Sequence, residues 1–342
     1  MAFGKKNLIG IDIGSYSIKA VRLRGRPGSY TLEAASCVRL PKEGAEERAS
    51  EYLSDMLRSK RMGSGYGAAV LSGQFLTIRQ LSLPAMPEAD LREAVRWELR
   101  KELAFPVNEL VSDYVTSTVG PKTEANAVSV IAFAARRGDV ERLMKTANES
   151  HVELRVVESV PTALLLAFDM SHVWDQGANY AMLDIGERRS TLAILKDSQL
   201  GFAREITFGG AELTERLAEG LGKDRDDAEE YKHTYGLTAE GVSEDAKKIL
   251  SAALDSLSSE LSRSFDYYHA QFREAALSKL FISGGTARLK GIEEYLTNSV
   301  GIPAFAHDPL RNVRLPKGME AASTEIAPSL TIAAGLATRT SQ

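Results

Sequence analysis

One phrase occurs twice in this chain, and the repeat restricts its fold more than any other feature. Residues 8–19 read Leu-Ile-Gly-Ile-Asp-Ile-Gly-Ser-Tyr-Ser-Ile-Lys, and residues 181–194 read Ala-Met-Leu-Asp-Ile-Gly-Glu-Arg-Arg-Ser-Thr-Leu-Ala-Ile. Each is an apolar strand running into Asp-x-Gly, a tight polar turn, and a second apolar strand. A single Asp-x-Gly asks for nothing more than a hairpin turn. Two of them, one in each half of the chain, describe two related lobes whose turns face one ligand.

The chemistry that suits the pattern is polyphosphate binding. Backbone N–H groups come close to phosphate oxygens where glycine leaves no Cβ in the way. Gly14 with Ser15, Tyr16 and Ser17 provides one such turn, Gly186 begins its counterpart, and Lys19 offers a positive charge. Asp12 and Asp184 are hard oxygen ligands suited to Mg²⁺, directly or through its waters.

With 342 residues the chain exceeds what one core usually holds, so two or more domains are expected. A content of 44% hydrophobic and 26% charged residues is that of a soluble globular protein, and a net charge of −4 provides no basic field for nucleic acid. Cys37 is the only cysteine, which rules out an intramolecular disulfide and fits a reducing cytoplasm. The five histidines are scattered without metal-ligand spacing. No run has the length of a membrane span, and Met1–Asn7 leads into a strand and not a signal peptide. The expectation is a cytoplasmic protein that meets a membrane only through partners.

Patterning divides the chain further. Strands are expected at about 7–13, 17–24, 30–39, 67–71 and 75–82, with a helix at 45–60, making residues 1–83 a first lobe. Leu91, Val95, Leu99 and Leu103 then form a helical stripe over 88–103. Strands near 110–119 and 126–135, a helix at 138–149 and a strand at 152–157 follow, so residues 84–157 read as a small inserted α+β subdomain. Residues 158–178 carry a return helix of the first lobe, and 179–342 form the second lobe with a helical part at about 211–272. Its longest helix, 243–275, reads as core. Trp97 lies off the Leu91/Val95/Leu99 stripe; packing on the small sheet or a neighbouring lobe is the favoured reading, and an exposed grip for a partner peptide the alternative.

Leu280 to Ala287 adds a third element, an apolar strand stopping at Gly284-Gly285 with Thr286 next, where a flat base can lie against backbone. In this order the three elements resemble the actin-like ATPase superfamily: an α/β, actin-like (ribonuclease H-like) two-lobed fold with the two hairpins as phosphate motifs and the Gly-Gly turn as adenosine motif. Ala228-Glu229-Glu230-Tyr231-Lys232 resembles that superfamily's Ala-Glu-x-x-Lys helix, which implies ribose and base contacts for Glu229 and Lys232.

Finer segments resemble the PilM family of type IV pilus assembly. They are Ile9 to Ser15 with Ile18-Lys19; Val95-Arg96-Trp97-Glu98 with Phe105-Pro106 and Asp113-Tyr114; Phe208 to Thr214, which includes Gly209 and Gly210; and Ala334 to Ala337. The resemblance implies an inserted subdomain as in FtsA, ATP with Mg²⁺ between the lobes, and a groove for the cytoplasmic N-terminal segment of the membrane protein PilN. It further implies a scaffold at the inner face of the inner membrane whose nucleotide state biases its partners, the pilus motor ATPases among them. The closing Thr338–Gln342 is expected to be no membrane anchor, unlike the end of FtsA. Hydrolysis requires a group that positions water. MreB-like relatives place a Glu before the helix-opening Pro; here Val160 precedes Pro161, and Glu158 is the nearest acid. Binding with slow or absent turnover is therefore expected, and a true ATPase or an FtsA-like filament former is the rival reading.

Overall fold

Alternation of apolar and polar residues in the first forty positions builds three antiparallel strands. In the computed structural model, which describes residues 7–103, 105–117, 127–172, 174–272, 276–317 and 325–340, these are β1 (Ile9–Ile13), β2 (Ser17–Arg24) and β3 (Thr31–Arg39). Helix α1 (Ala45–Ser59) buries Ala49, Leu53, Met56 and Leu57 against them, and β4 (Gly65–Leu71) returns parallel to β1.

The chain then leaves this sheet. β5 (Thr77–Pro84), β6 (Leu110–Ser117) and β7 (Ala127–Arg136) form a separate three-stranded sheet in the order β5-β7-β6. Helix α2 (Glu88–Glu102) covers one side, its Leu91, Val95 and Leu99 packing on Val130, Ala132 and Ala134. The alternate residues Ile131, Phe133 and Ala135 point the other way, into a core shared with Leu195, Leu200 and Ala203 of the second lobe. This period of two, apolar on both faces, marks a sheet covered twice.

After α3 (Arg137–Glu149), β8 (Val152–Ser159) pairs in parallel with β4, completing the order β3-β2-β1-β4-β8. The inserted unit therefore runs from β5 to β7, residues 77–136, and not 84–157. β5 belongs to the small sheet, whereas α3 and β8 belong to the first lobe. Strand pairing is a non-local choice that periodicity does not reveal. Residues 118, 119 and 126 of the expected strands, and 273–275 of the long helix, lie outside the described residues.

Helix α4 (Val160–Ser171) opens with Ser159 as its cap, the Ser159 hydroxyl accepting from the Thr162 N–H, and Pro161 in its first turn. The second lobe repeats the first: β9 (Asn179–Ile185), β10 (Ser190–Lys196), β11 (Gln199–Ile206), β12 (Leu277–Ser283) and β13 (Ala304–Ala306) order as β11-β10-β9-β12-β13. Between β11 and β12 come α5 (Gly210–Leu221), α6 (Arg225–Tyr235) and the long α7 (Glu244–Phe272), whose Leu250, Leu254, Leu257, Leu261 and Phe265 are core as expected. Helices α8 (Ile292–Val300) and α9 (Thr331–Leu336) finish the chain.

Every residue of α9 is buried, and its small side chains bring it against β1 and α4 almost backbone to backbone. A Cβ on Gly10 would lie 1.9 Å from the Ala333 carbonyl oxygen, and one on Gly335 would lie 2.2 Å from that of Ala163. Beside this contact the Ser171 hydroxyl meets His172 Nδ1 at 2.8 Å and His307 Nε2 at 3.0 Å, and His307 Nδ1 meets the Thr331 hydroxyl at 3.0 Å. Burial holds both imidazoles neutral, lowering His172 to about 4 and His307 to about 3. Trp97 is 58% exposed, with the Arg100 guanidinium 5.4 Å from its ring centre, so the packed reading of that side chain does not hold.

Candidate functional site

The two repeated phrases fold alike. In the first, Asp12 sits opposite Lys19 in the β1–β2 register, and the Gly14 N–H closes the turn on the Ser17 carbonyl at 3.1 Å. In the second, Asp184 sits opposite Thr191, and the Gly186 N–H closes on the Arg189 carbonyl, also at 3.1 Å. Both glycine amides are thus spent on the turn. The amides between them, at Ser15, Tyr16, Glu187 and Arg188, have no internal acceptor among the described residues.

A cavity of about 440 Å³ lies between the turns. Asp12, Gly14, Ser15, Tyr16, Ser17 and Lys19 line it from the first lobe, and Asp184, Gly186, Gly210, Glu229, Lys232, Gly285 and Thr286 from the second. Gly209 and Gly284 do not reach it; they stand behind the wall. A Cβ on Gly209 would lie 2.4 Å from the Glu187 carbonyl oxygen, and one on Gly284, which holds φ at +87°, would lie 2.4 Å from that of Ile185. Glycine there lets the loops close on the second hairpin.

Charge is concentrated at the centre. Lys19 Nζ pairs with Asp12 Oδ2 at 3.0 Å, and the Ser283 hydroxyl donates to Asp184 at 2.9 Å. Burial and the nearby Asp12 charge push the Asp184 carboxyl up to about 6, against Lys19 and Ser283. Burial opposes the charge of Lys19, but Asp12 overcomes that and raises it. No cluster of three or more His, Cys, Asp or Glu among the described residues would hold a metal by itself. Two carboxylates beside a phosphate-sized cavity do suit Mg²⁺, which retains waters and takes its remaining ligands from phosphate.

Glu229 and Lys232 do more than face a ligand. The Lys232 ammonium gives its donors to Glu229 at 2.8 Å, to the Thr214 hydroxyl at 2.8 Å and to the Gly210 carbonyl at 3.0 Å, bracing α6 on α5. Glu229 also receives Thr214 and His233, the latter at 2.9 Å, and the Tyr16 hydroxyl of the opposite lobe faces it. Burial opposes its ionisation, yet these bonds hold its carboxyl well below the ordinary range.

Side chains that the sequence did not single out form the rims. On one, Arg39 and Lys42 of the first lobe pair with Asp226 of the second at 3.5 and 2.5 Å. On the other, Arg189 pairs with Glu205 at 3.7 Å, and the Gly73 N–H of the first lobe faces the Glu205 carboxylate. Burial pushes Glu205 up to about 7. Position in the second repeat was the only available signal for Arg189; Gly73 and Glu205 gave none. Glu158 points elsewhere: Thr162 donates to it at 2.6 Å and Arg339 pairs with it, while Val160 lines the cavity.

Two lobes of one repeated sheet topology, with paired turns around a central cavity, define an actin-like fold. Solved structures agree: MreB5 of Spiroplasma citri bound to ADP is 13% identical with a TM-score of 0.53, covering 96% of this chain and 94% of that one. The ethanolamine utilization protein EutJ from Carboxydothermus hydrogenoformans is 14% identical with a TM-score of 0.56, covering 97% and 89%. The cell division protein FtsA of Staphylococcus epidermidis is 28% identical over 162 residues, a match that takes in 42% of this chain and 35% of FtsA. The sequence profile described as Type IV pilus assembly protein PilM matches residues 10–341, and the chain belongs to that family. A structure of a PilM-PilN type IV pilus biogenesis complex is 25% identical with a TM-score of 0.83 and covers 97% of both chains.

Proposed function

We propose that this chain is an ATP-binding scaffold of type IV pilus assembly that couples nucleotide occupancy to partner binding. The observation carrying this reading is the single cavity assembled from both copies of the repeat. Asp12 and Asp184 would hold Mg²⁺, which when bound neutralises phosphate charge. The amides of Ser15, Tyr16, Glu187 and Arg188 and the Lys19 ammonium orient the phosphates, and the Gly285-Thr286 turn, beside the Glu229–Lys232 brace, receives the nucleoside. Turnover is slow or absent, because Glu158 is held by Thr162 and Arg339 and no carboxylate stands before Pro161.

The proposed partner is the N-terminal cytoplasmic segment of PilN, and likeness to the PilM-PilN complex supports it. The cavity continues between α1 and α3, past Ala45, Ala49, Leu143 and Phe75 with Glu46, Asp139 and Arg142 beside them, so a groove of mixed polarity adjoins the charged pocket. No helix among the described residues is long and apolar enough to cross a membrane. Cytoplasmic placement, attachment to the inner membrane through PilN, and contact with the pilus motor ATPases belong to the same proposal. Calorimetric titration of the chain with a PilN N-terminal peptide, with and without ATP and Mg²⁺, tests it. Affinity should differ between the two conditions; equal affinity refutes the coupling, and no binding in either removes the partner.

A further inference from the structure

The two hairpin turns differ at one telling position. Where the first closes on Ser17, the second closes on Arg189, whose side chain lines the cavity. Its guanidinium reaches Glu205 through a single approach of 3.7 Å, without the two-pronged geometry that arginine makes with carboxylate at its best. Glu205 faces Thr191 across the β10–β11 ladder, so it flanks the second hairpin. Its carboxylate also attracts the Gly73 N–H, and Gly73 lies in the turn that leads directly into β5. The arginine stem rests on this turn as well: a Cβ on Gly73, whose φ is +61°, would lie 3.6 Å from Arg189 Cδ. Arg189 therefore touches the cavity, the clasp between lobes, and the root of the inserted sheet.

We propose that Arg189 is a phosphate sensor which leaves Glu205 for the terminal phosphate of a bound nucleoside triphosphate, and so loosens the Gly73 clasp between the two lobes at the root of the inserted sheet. The inference rests on the nucleotide reading above and names how that site is regulated. A guanidinium fork matches phosphate oxygens, and a terminal phosphate carries more charge than one carboxylate. The resting pair is long and the Arg189 side chain is 38% exposed, so the guanidinium gives up little on leaving, and the cost falls on Glu205, which is 16% exposed. Glu205 cannot remain as it was once the guanidinium departs. Its burial already works against the charged form, so the carboxylate takes a proton from solvent or turns toward water. Either change weakens its attraction for the Gly73 N–H. A diphosphate ends one phosphate short and leaves the clasp closed.

The test compares affinities for a non-hydrolysable ATP analogue and for ADP, each with Mg²⁺, in the wild type, Arg189→Ala and Arg189→Lys. Amide exchange of residues 72–77 is followed in parallel. Losing a charge-assisted contact to phosphate lowers affinity roughly tenfold or more, so Arg189→Ala should cut the triphosphate-over-diphosphate preference by about that factor, with Arg189→Lys in between. The triphosphate analogue should speed exchange at Gly73 in the wild type, ADP should not, and Glu205→Ala should exchange fast with no nucleotide. If the wild type binds both nucleotides and Arg189→Ala keeps the same preference, the sensor is refuted while the site stands. If exchange at Gly73 ignores nucleotide, the clasp release is refuted. If the wild type binds neither nucleotide, the underlying reading fails and the sensor with it.

Discussion

Replacing Asp184 by Asn separates what this carboxylate does for the fold from what it does for a ligand. Its carboxyl titrates at about 6, against an ordinary 3.8, because burial and Asp12 disfavour its charge. A folded value above the unfolded one favours the fold only while the group is protonated. That contribution is complete below about pH 3.8 and is lost as pH rises through about 6. At neutral pH the ionised carboxylate thus costs stability. A shift of two units corresponds to about 3 kcal/mol, but the side chain borders the open cavity, and water there reduces the cost to about 1–2 kcal/mol. The amide keeps an oxygen for the Ser283 hydroxyl, and Lys19 keeps Asp12. Asp184→Asn should therefore stabilise the nucleotide-free protein at about pH 8 by roughly 1–2 kcal/mol relative to its effect at about pH 4, while abolishing Mg²⁺-dependent nucleotide binding. Urea unfolding of both proteins at the two pH values measures the first effect. The histidines titrate alike in both, so the difference isolates residue 184. An equal change in stability at both pH values refutes the reasoning.

Lys19→Ala should reduce the nucleotide-dependent thermal shift, which at a hundredfold excess over Kd corresponds to roughly 2.7 kcal/mol in the wild type; an unchanged shift rules Lys19 out as a phosphate ligand. His307 and His172, lowered to about 3 and 4 by burial, protonate far more readily in the unfolded chain. The stability tied to their neutral forms is present above about pH 6.5 and is lost as pH falls toward 4 and 3, at up to about 1.4 kcal/mol per pH unit for the fully buried His307 and less for the half-buried His172. His307→Gln should flatten that decline in denaturation curves, and an unaltered slope counts against His307 as its source. Gly210→Ala would place a Cβ 2.7 Å from the Thr286 hydroxyl, so nucleotide affinity should fall while far-ultraviolet dichroism is unchanged; intact affinity shows that the turn gives way. Trp97→Ala should move the melting midpoint by the equivalent of less than about 0.5 kcal/mol, as expected for an exposed side chain, and a larger drop means the ring is packed.

The parts of this molecule written into contiguous residues were legible before any coordinates. Asp12-x-Gly14 and Asp184-x-Gly186 could be placed because turn chemistry and flanking strands occupy a dozen adjacent positions. The Leu91/Val95/Leu99 stripe and the long α7 were readable for the same reason. What escaped depends on which distant segments meet. β5 and β8 look like any short strands, and only pairing assigns them to different sheets. The rim contacts of Arg39 and Lys42 with Asp226, and of Glu205 with Gly73, need the lobes already set face to face. Glu229 and Lys232 line the cavity as the sequence leads one to expect, but it does not disclose that Thr214 and Gly210 also come to meet them. For Trp97 the sequence favours packing, since a large indole is usually covered, yet the helix turns it outward.

The meeting of Gly335 with Ala163 works as a fulcrum. Helix α4 lies between the two halves of the molecule, and with no side chain separating it from α9, neither helix has slack to slide along the other. Any movement of the halves would therefore be a rocking, with an amplitude that grows with distance from that spot. A small tilt there is magnified at the far lips of the cleft, where Asp226 and Glu205 hold them shut.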